Sequence, residues 1–296
     1  MKTAVSAVLL QALAVQAIRI IQSNDDGWAE SYTRSFFSSL TSAGNTVCLS
    51  APADNKSGTG GLDIDPEPRS SACQYDSCPA NSGATGSNAT QPELNWVNSF
   101  PATSMRYGRT KICPALWNGA APELAVAGPN VGSNLFAAVH FSGTVGAACD
   151  AANAGIPAIA FSGATEDRVA WNTVPVPHSG EVYAELATTI TSKIIASGTP
   201  YLPEGIWLNV NFPQVTDECN AASDFKFVLS RINPGILSPP DVEQCGSTRL
   251  PQELEVINAG GCRVSISIGD SKDKTTANDD RQDAVLAKLK DILTCL

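Results

Sequence analysis

Two adjacent carboxylates, Asp25 and Asp26, follow a short isoleucine-rich run at residues 18–22 and precede Gly27. A short apolar run that stops at a polar cluster and a glycine is typical of a buried parallel strand followed by a turn. In open α/β sheets, ligands bind at the carboxyl ends of such strands. Neighbouring aspartates repel each other unless a cation lies between them, so this pair indicates a hard divalent metal held by oxygen ligands.

A simpler interpretation is that Asp26 only caps a helix that starts near Trp28, while Asp25 faces water. The dipeptide alone favours this interpretation, because short motifs often occur by chance. Its meaning therefore depends on the elements that surround it and on other polar turns that could meet it.

The apolar segments predict an alternation of strands and helices, which is the pattern of a parallel sheet covered on both faces. The predicted strands are 18–22, 47–49, 124–127, 156–161 and 206–210, and the predicted helices are 28–43, 142–155, 182–195 and one that starts at Asp279 and Asp280. This order predicts a three-layer α/β/α sandwich with a mainly parallel, Rossmann-like sheet.

Two regions depart from that alternation. Residues 53–95 are rich in Gly, Ser, Asn, Asp and Pro, and they predict a loop insertion with little regular structure. Residues 214–296 form a β-rich C-terminal extension, in which segments 225–229 and 264–268 pair outside the parallel core before the final helix. This extension is a candidate surface for a homodimer.

The chain has 296 residues, 43% of them hydrophobic, and a formal net charge of −10. This length suits one large domain with enough apolar residues for a core. An acidic surface repels phosphate polymers, so a nucleic acid polymer is not an expected partner. A small phosphorylated substrate remains compatible with this charge if a metal supplies local positive charge.

The first 17 residues resemble a secretory signal peptide, with Lys2, an apolar run at 4–10 and small residues up to Ala17. The alternative is that residues 12–21 continue one buried helix. A signal peptide predicts a secreted protein, and no other apolar run is long enough to predict a membrane span.

The chain has nine cysteines, but it has no C-x-x-C pair and only two histidines that could complete a zinc site. The cysteines instead fit export to an oxidising compartment. Disulfides are therefore the better explanation. Cys73 and Cys78 are close enough in sequence to pair with each other, and Cys149, in an alanine-rich helical stretch, is the predicted free thiol. Sequence does not determine the other pairs.

Four polar turns can meet at one edge of the predicted sheet. They are S-N-D-D-G at 23–27, N-K-S-G at 55–58, G-P-N-V-G-S-N at 128–134 and S-G-T-V-G at 142–146. With L-P-E-G at 202–205 and L-N-V-N-F-P at 208–213, this set resembles the SurE (survival protein E) family of metal-dependent phosphatases and nucleotidases. The resemblance covers most of residues 18–213 and, more loosely, the C-terminal region. The leader and cysteines are atypical of bacterial members and indicate a secreted, fungal-like member.

The resemblance implies a divalent metal (Mg²⁺, Mn²⁺ or Ca²⁺) and a phosphomonoester substrate such as a nucleoside monophosphate. The implied metal ligands are Asp25, Asp26, Ser57 and Asn130, the implied catalytic residues are Asp25, Asp26 and Asn130, and the implied phosphate-binding residues are Ser142, Gly143, Thr144 and Asn134. All four metal ligands offer hard oxygen atoms. Residues 142–144 would bind anions through free N–H groups at a helix start.

The simpler roles are a left-handed turn for Asn130, loop polarity for Ser57 and plain helix capping for Ser142. The chain departs from the family where Ala127-Gly128-Pro129-Asn130 replaces the usual S-G-I-N, and where Phe136 replaces a glycine.

The rival function is a secreted, metal-binding protein without catalytic activity. The only histidines, His140 and His178, are weak candidates for an acid or base.

Overall fold

The computed structural model of the protein describes residues 17–165, 167–277 and 280–296. A nine-stranded sheet forms the centre of this structure. The strand order across the sheet is β3-β4-β2-β1-β5-β6-β7-β9-β8. The strands are β1 (Arg19–Ser23), β2 (Thr46–Pro52), β3 (Thr85–Ser87), β4 (Leu94–Val97), β5 (Leu124–Val131), β6 (Ala158–Gly163), β7 (Ile206–Phe212), β8 (Lys226–Ser230) and β9 (Arg263–Asp270).

The six strands from β4 to β7 are parallel to one another, and antiparallel pairs extend both sides of this core. On one side β3 pairs antiparallel with β4, and on the other β9 pairs antiparallel with β7. The predicted mainly parallel sheet is therefore confirmed. The two C-terminal β segments do pair with each other, but β9 also bonds to β7, so they continue the main sheet.

Helices cover both faces of the sheet, which completes the predicted three layers. They are α1 (Ser31–Ser42), α2 (Pro101–Tyr107), α3 (Cys113–Leu116), α4 (Ala138–Phe141), α5 (Gly143–Asn153), α6 (His178–Ala196), α7 (Glu253–Asn258) and α8 (Asp280–Leu289). Helices α1 and α6 pack together on one face, with α8 against α6, whereas α2 and α5 pack together on the other.

Alternation along β1 explains how one strand serves both cores. Ile20 belongs to the core under α1 and α6, and the next residue, Ile21, belongs to the core under α2 and α5. The first core is aromatic: Phe161 meets Phe36 edge-on and stacks on Phe212. The second core consists largely of alanines, so α5 lies close to the sheet.

Several element bounds differ from the predictions for local reasons. Helix α1 begins at Ser31, not near Trp28, because the Glu30 side chain accepts hydrogen bonds from the N–H groups of Tyr32 and Thr33 and caps the helix there. The segment 53–95, predicted as a loop insertion, contains β3 and the start of β4. The leader up to residue 16, and Asp279 at the predicted start of the last helix, lie outside the described residues.

Among the described residues the cysteines form four disulfides and leave Cys149 free and buried, as predicted. The pairs are Cys48–Cys113, Cys73–Cys78, Cys219–Cys262 and Cys245–Cys295. This pattern fits an oxidising compartment. No helix in the described ranges has the length and apolar character needed to cross a membrane.

We expect the disulfides to contribute unequally to stability, because each restrains an unfolded loop of a different length. Cys48 and Cys113 are 65 residues apart, whereas Cys73 and Cys78 are 5 apart. Replacing the first pair by alanine should lower the free energy of unfolding by about 4 kcal/mol, and replacing the second by about 2 kcal/mol. Urea unfolding of the two double variants measures this difference.

Thiol titration of the same proteins provides the control. The denatured, unreduced parent should expose one reactive thiol, that of Cys149. Several free thiols in the parent, or equal losses of stability in the two variants, would contradict this assignment.

Candidate active site

The site lies where the strand order reverses. From β1 the chain moves to β2 and β4 on one side, and it returns to β5, β6 and β7 on the other. A crevice therefore opens between the carboxyl ends of β1 and β5, which is the usual ligand position in such sheets. Asp25 and Asp26 follow β1, and Asn130 is the second-last residue of β5.

Asp25 binds the start of helix α5. Its Oδ2 accepts hydrogen bonds from the backbone N–H groups of Gly143 and Thr144, both at 3.1 Å, and its Oδ1 accepts one from the Thr144 hydroxyl at 2.7 Å. Gly143 permits this approach, because a Cβ there would lie 2.9 Å from the Asp25 Cβ. The carboxylate thus lies on the positive end of a helix dipole, which favours its charged form.

Asp26 bonds to three other segments. Its Oδ2 accepts a hydrogen bond from the N–H of Val131 at 2.7 Å, and its Oδ1 accepts from Nε of Arg168 at 2.5 Å. The Ser57 hydroxyl lies 3.4 Å from the same Oδ1. Since Glu30 caps α1, the simpler interpretation of Asp26 as a helix cap is wrong.

A break in the β5 register turns Asn130 toward these carboxylates. The pairing of β5 with β6 shifts between Ala127 and Asn130, and Gly128, with φ +101°, occupies a position where a Cβ would lie 2.2 Å from the Phe161 carbonyl oxygen. The Asn130 amide donates to the Gly132 carbonyl at 2.5 Å. Its Oδ1 lies 3.5 Å from the Thr144 hydroxyl oxygen, so Asn130 and Asp25 meet at the same residue of α5.

Backbone contacts hold the Ser57 loop beside the two aspartates. The Lys56 N–H donates to the Asp25 carbonyl at 2.7 Å, and the Gly60 N–H donates to the Phe141 carbonyl at 2.8 Å. The loop also lies directly on α5, where a Cβ at Gly146 would stand 1.9 Å from the Gly60 carbonyl oxygen. The structure therefore brings Asp25, Ser57 and Asn130 to the lining of one cleft, and it holds the fully buried Asp26 against the Ser57 hydroxyl.

In the predicted phosphate-binding turn at residues 142–144, the backbone N–H groups have a different partner from the predicted one. The N–H groups of Gly143 and Thr144 were expected to be free for an anion, but both donate to Asp25. The Ser142 hydroxyl oxygen caps α5 by accepting from the Val145 N–H at 3.1 Å, and Ser142 lines the cleft. Phosphate binding at this turn stays a prediction, and the Ser142 hydroxyl proton is its available donor.

Asn134 lines the same cleft and is held from behind by β7. Its N–H donates to Asn211 Oδ1 at 2.8 Å, and its carbonyl accepts from Asn209 Nδ2 at 2.8 Å. Its own amide donates to Ser162 at 2.8 Å. The two asparagines of L-N-V-N thus act as a bracket for the loop that carries Asn134.

Glu253 of α7 extends this bracket into the C-terminal region. Its Oε1 accepts from Asn209 at 2.6 Å, and its Oε2 accepts from the N–H of Phe136 at 3.2 Å. Phe136 adopts φ +49°, in the left-handed region that favours glycine, so this family departure retains a glycine-like backbone. The hydrogen bond to Glu253 helps to hold that conformation.

Burial sets the electrostatics of the two aspartates. It is the largest cause that raises the pKa of Asp25 to about 6, with the negative charge of Asp26 as the second cause. Burial also raises the pKa of Asp26, although hydrogen bonds from Val131 and Arg168 oppose that shift. A pair of ionised carboxylates in this position therefore needs nearby positive charge.

A metal site here would depend on two carboxylates and neutral oxygens. Within the ranges that the structure describes, no cluster of three or more His, Cys, Asp or Glu side chains could hold a metal. His140 and His178 are both exposed, and neither lines the cleft, so the structure does not bring them into the site. The oxygens of Asp25, Asp26, Ser57 and Asn130 fit a hard cation such as Mg²⁺, Mn²⁺ or Ca²⁺.

Sequence reasoning missed three residues that shape the site. Glu253 and Arg168 are single charged residues in irregular or weakly patterned segments, where no motif marks them. No pattern marks Glu30 either, because helical periodicity does not locate the residue that caps a helix. The sequence carries no signal that pairs Glu253 with the L-N-V-N asparagines, because this contact can be recognised only once the fold is known.

The buried Glu253 should make stability depend on pH. Burial raises the pKa of its carboxyl from the ordinary 4.5 to about 7. The stabilisation from the neutral form is then complete below about pH 4.5 and is lost as the pH rises through 7. Glu253→Gln removes this titration, so the parent should lose about 3 kcal/mol relative to the variant between these pH values.

Urea unfolding at several pH values measures that change. Glu185→Gln, which alters an exposed glutamate on α6, is the matched control and should leave the pH profile of the parent unchanged. A parent and a Glu253→Gln variant whose stabilities differ by the same amount at every pH would contradict the assignment.

Comparison with known proteins identifies the family. The family model described as Survival protein SurE matches residues 20–232. A Yarrowia lipolytica protein named acid phosphatase is 31% identical over 84% of this chain and 78% of its own length, and a Gloeobacter violaceus 5'-nucleotidase SurE is 31% identical over 68% and 66%. The crystal structure of the SurE protein from Aquifex aeolicus superposes with a TM-score of 0.60 and 21% identity, covering 92% of this chain and 98% of that one. The fold, the family model and the relatives agree, and this chain belongs to the SurE family.

Proposed function

We propose that this protein is a secreted, metal-dependent hydrolase of small phosphomonoesters, with nucleoside monophosphates among its substrates. The observation that carries the proposal is the convergence of Asp25, Asp26, Ser57 and Asn130 at the reversal point of the sheet, beside the start of α5. The relatives named acid phosphatase and 5'-nucleotidase support the reaction type. The four disulfides support an oxidising compartment.

The proposal of a divalent cation rests on the oxygen donors of the site and on the positive charge of Arg168 beside them. Asp25, Asp26, Ser57 and Asn130 offer hard oxygen donors, and the guanidinium of Arg168 bonds to two of these residues, Asp26 and Ser57. Asp25, Asp26, Ser57 and Asn130 would hold the metal. When bound, it would supply positive charge against phosphoryl oxygens as they become more negative during hydrolysis.

The remaining steps fall to side chains of the cleft. The Ser142 hydroxyl would donate to a phosphate oxygen, and so would the amide hydrogen of Asn134 that is not used by the bond to Ser162; both residues line the cleft with Asn130. Asp25 fixes α5 relative to β1 and so sets the distance between Ser142 and the metal ligands. A carboxylate of the aspartate pair would take the proton of the attacking water as the water oxygen bonds to phosphorus and the ester P–O bond breaks, and this proton would then pass to the oxygen of the leaving alcohol.

The alcohol part of the substrate has space next to the cleft. A pocket of about 530 Å³ shares Gly132 and Ser133 with the cleft and continues past Thr165, Asp167 and Tyr183. This volume lies within the usual range for small-molecule sites. The net charge of −10 disfavours a polymeric phosphate, so we propose a small ester as substrate.

Asp26→Asn should separate this function from that of an inactive metal-binding protein. The change keeps the side-chain size but removes one negative charge from the cation site. Metal affinity should fall, and hydrolysis of p-nitrophenyl phosphate at limiting metal should fall by about a hundredfold or more. Phosphate release with and without EDTA, and metal binding by calorimetry, measure the two effects.

Asp76→Asn, at an exposed position, is the control and should hydrolyse the ester at the parent rate. A parent that binds metal but releases no phosphate from p-nitrophenyl phosphate or nucleoside monophosphates would instead be a binding protein. Asp26→Asn protein that works at the parent rate under limiting metal would refute the proposed site.

Ser142 substitutions should affect phosphate binding with the metal site intact. Ser142→Asp retains an acceptor for the Val145 N–H but places a negative charge at the proposed phosphate position, whereas Ser142→Thr keeps both the cap and the hydroxyl. We expect KM to rise by about tenfold or more in the aspartate variant and little in the threonine variant. Equal KM values for the two variants, with unchanged metal affinity, would exclude Ser142 from phosphate binding.

A further inference from the structure

Arg168 joins two of the proposed metal ligands. Its Nε donates to Asp26 Oδ1 at 2.5 Å, and its Nη2 donates to the Ser57 hydroxyl at 2.9 Å. Its side chain is 34% exposed, whereas that of Asp26 is fully buried. The guanidinium therefore lies across the mouth of the cleft, with its charge directed at the aspartate.

The backbone next to Arg168 is fixed, although the segment has no regular structure. The Val169 carbonyl accepts from the Ser31 N–H at 2.8 Å, and the Trp171 N–H donates to the Ala29 carbonyl at 2.9 Å. Ala170 and Glu30 form an antiparallel bridge between these bonds. This pairing holds the backbone of Arg168 beside the turn that follows β1, from where its side chain reaches Asp26 and Ser57.

The cleft has little other positive charge. Of the residues that line it in the described part of the chain, Arg168 alone is cationic, and the others are Asp25, small residues, neutral amides and apolar groups. Nη1 of Arg168 has no hydrogen-bond partner among the described residues, so the guanidinium retains free donors. A planar guanidinium with free donors suits a phosphate, which it can bind through two parallel hydrogen bonds.

A guanidinium and a divalent cation cannot both occupy the position next to Asp26 Oδ1 and Ser57 Oγ. Both need the same lone pairs, and two cations a few ångströms apart repel each other strongly at a buried site. A cation bound by the aspartates would therefore displace the side chain of Arg168. Its tethered backbone leaves it at the cleft mouth, where a phosphomonoester would bring negative charge.

We propose that Arg168 is a phosphate-binding residue of this protein and that it competes with the divalent cation for Asp26 and Ser57. The inference rests on the proposed function. With the cation bound by the aspartates, the guanidinium would bind the substrate phosphate in the cleft that Ser142 also lines. When no cation is bound, the guanidinium neutralises Asp26, so metal binding and the position of Arg168 are coupled.

Two substitutions separate this role from that of a structural ion pair. Arg168→Gln removes the charge, and Arg168→Lys keeps the charge but loses the planar pair of donors. Arg263→Gln, on β9, is the control, because its guanidinium bonds only to backbone carbonyls of the 259–260 turn in the described chain. Each protein is tested for Mn²⁺ affinity by calorimetry without substrate, and for inhibition of p-nitrophenyl phosphate hydrolysis by inorganic phosphate.

We expect Arg168→Gln to bind Mn²⁺ about tenfold more tightly than the parent, because its competitor is gone. The same variant should show an inhibition constant for phosphate, and a KM for the ester, that are about tenfold or more higher. Arg168→Lys should lie between the two proteins in both measurements, and Arg263→Gln should match the parent.

Unchanged or weaker Mn²⁺ binding by Arg168→Gln would overturn the competition, and an unchanged inhibition constant for phosphate would overturn the phosphate role. A purely structural ion pair predicts lower thermal stability with neither change, which also counts against the proposal. Failure of the proposed function looks different, because the parent itself would then bind Mn²⁺ without hydrolysing the ester.

Discussion

The structure depends on keeping two adjacent carboxylates buried at the end of its central strand. Asp25 and Asp26 are 2% and 0% exposed, so water cannot stabilise their charge. The surrounding chain replaces water with directed donors: the start of α5 for Asp25, and the Val131 N–H with Arg168 for Asp26. Each aspartate thereby fixes a different segment against β1, so the electrostatic requirement also determines the geometry of the cleft.

This arrangement connects distant parts of the chain to the cleft. Asn209 and Asn211 of β7 hold the loop that carries Asn134, and Glu253 holds Asn209 and the backbone of Phe136. The C-terminal region is therefore not an independent addition, since its helix α7 supports the wall of the crevice. The left-handed conformation of Phe136 is held by two hydrogen bonds, since its N–H donates to Glu253 and its carbonyl accepts from the Val139 N–H.

Sequence reasoning succeeded where a pattern repeats or where a residue type has few alternatives. Apolar runs and helical periodicity located five of the six parallel strands and the main helices, and the adjacent aspartates after β1 are the basis of the proposed site. It missed β3, β4 and the cap at Glu30, because short strands in a polar segment and a single capping residue leave little pattern. It also could not locate Arg168 or Glu253, since their roles arise from tertiary contacts between segments more than 40 residues apart.

The start of α5 illustrates why a correct motif can have an unexpected use. A helix N-terminus offers free N–H groups and a positive dipole, and sequence alone assigns both to the substrate. In the fold the nearest anion is Asp25, which takes the N–H groups of Gly143 and Thr144. The dipole then stabilises the carboxylate that a cation would need in its ionised form. The backbone N–H groups of this turn are thus committed to Asp25, which is why the proposals for the phosphate turn to a bound cation, the Ser142 hydroxyl and Arg168.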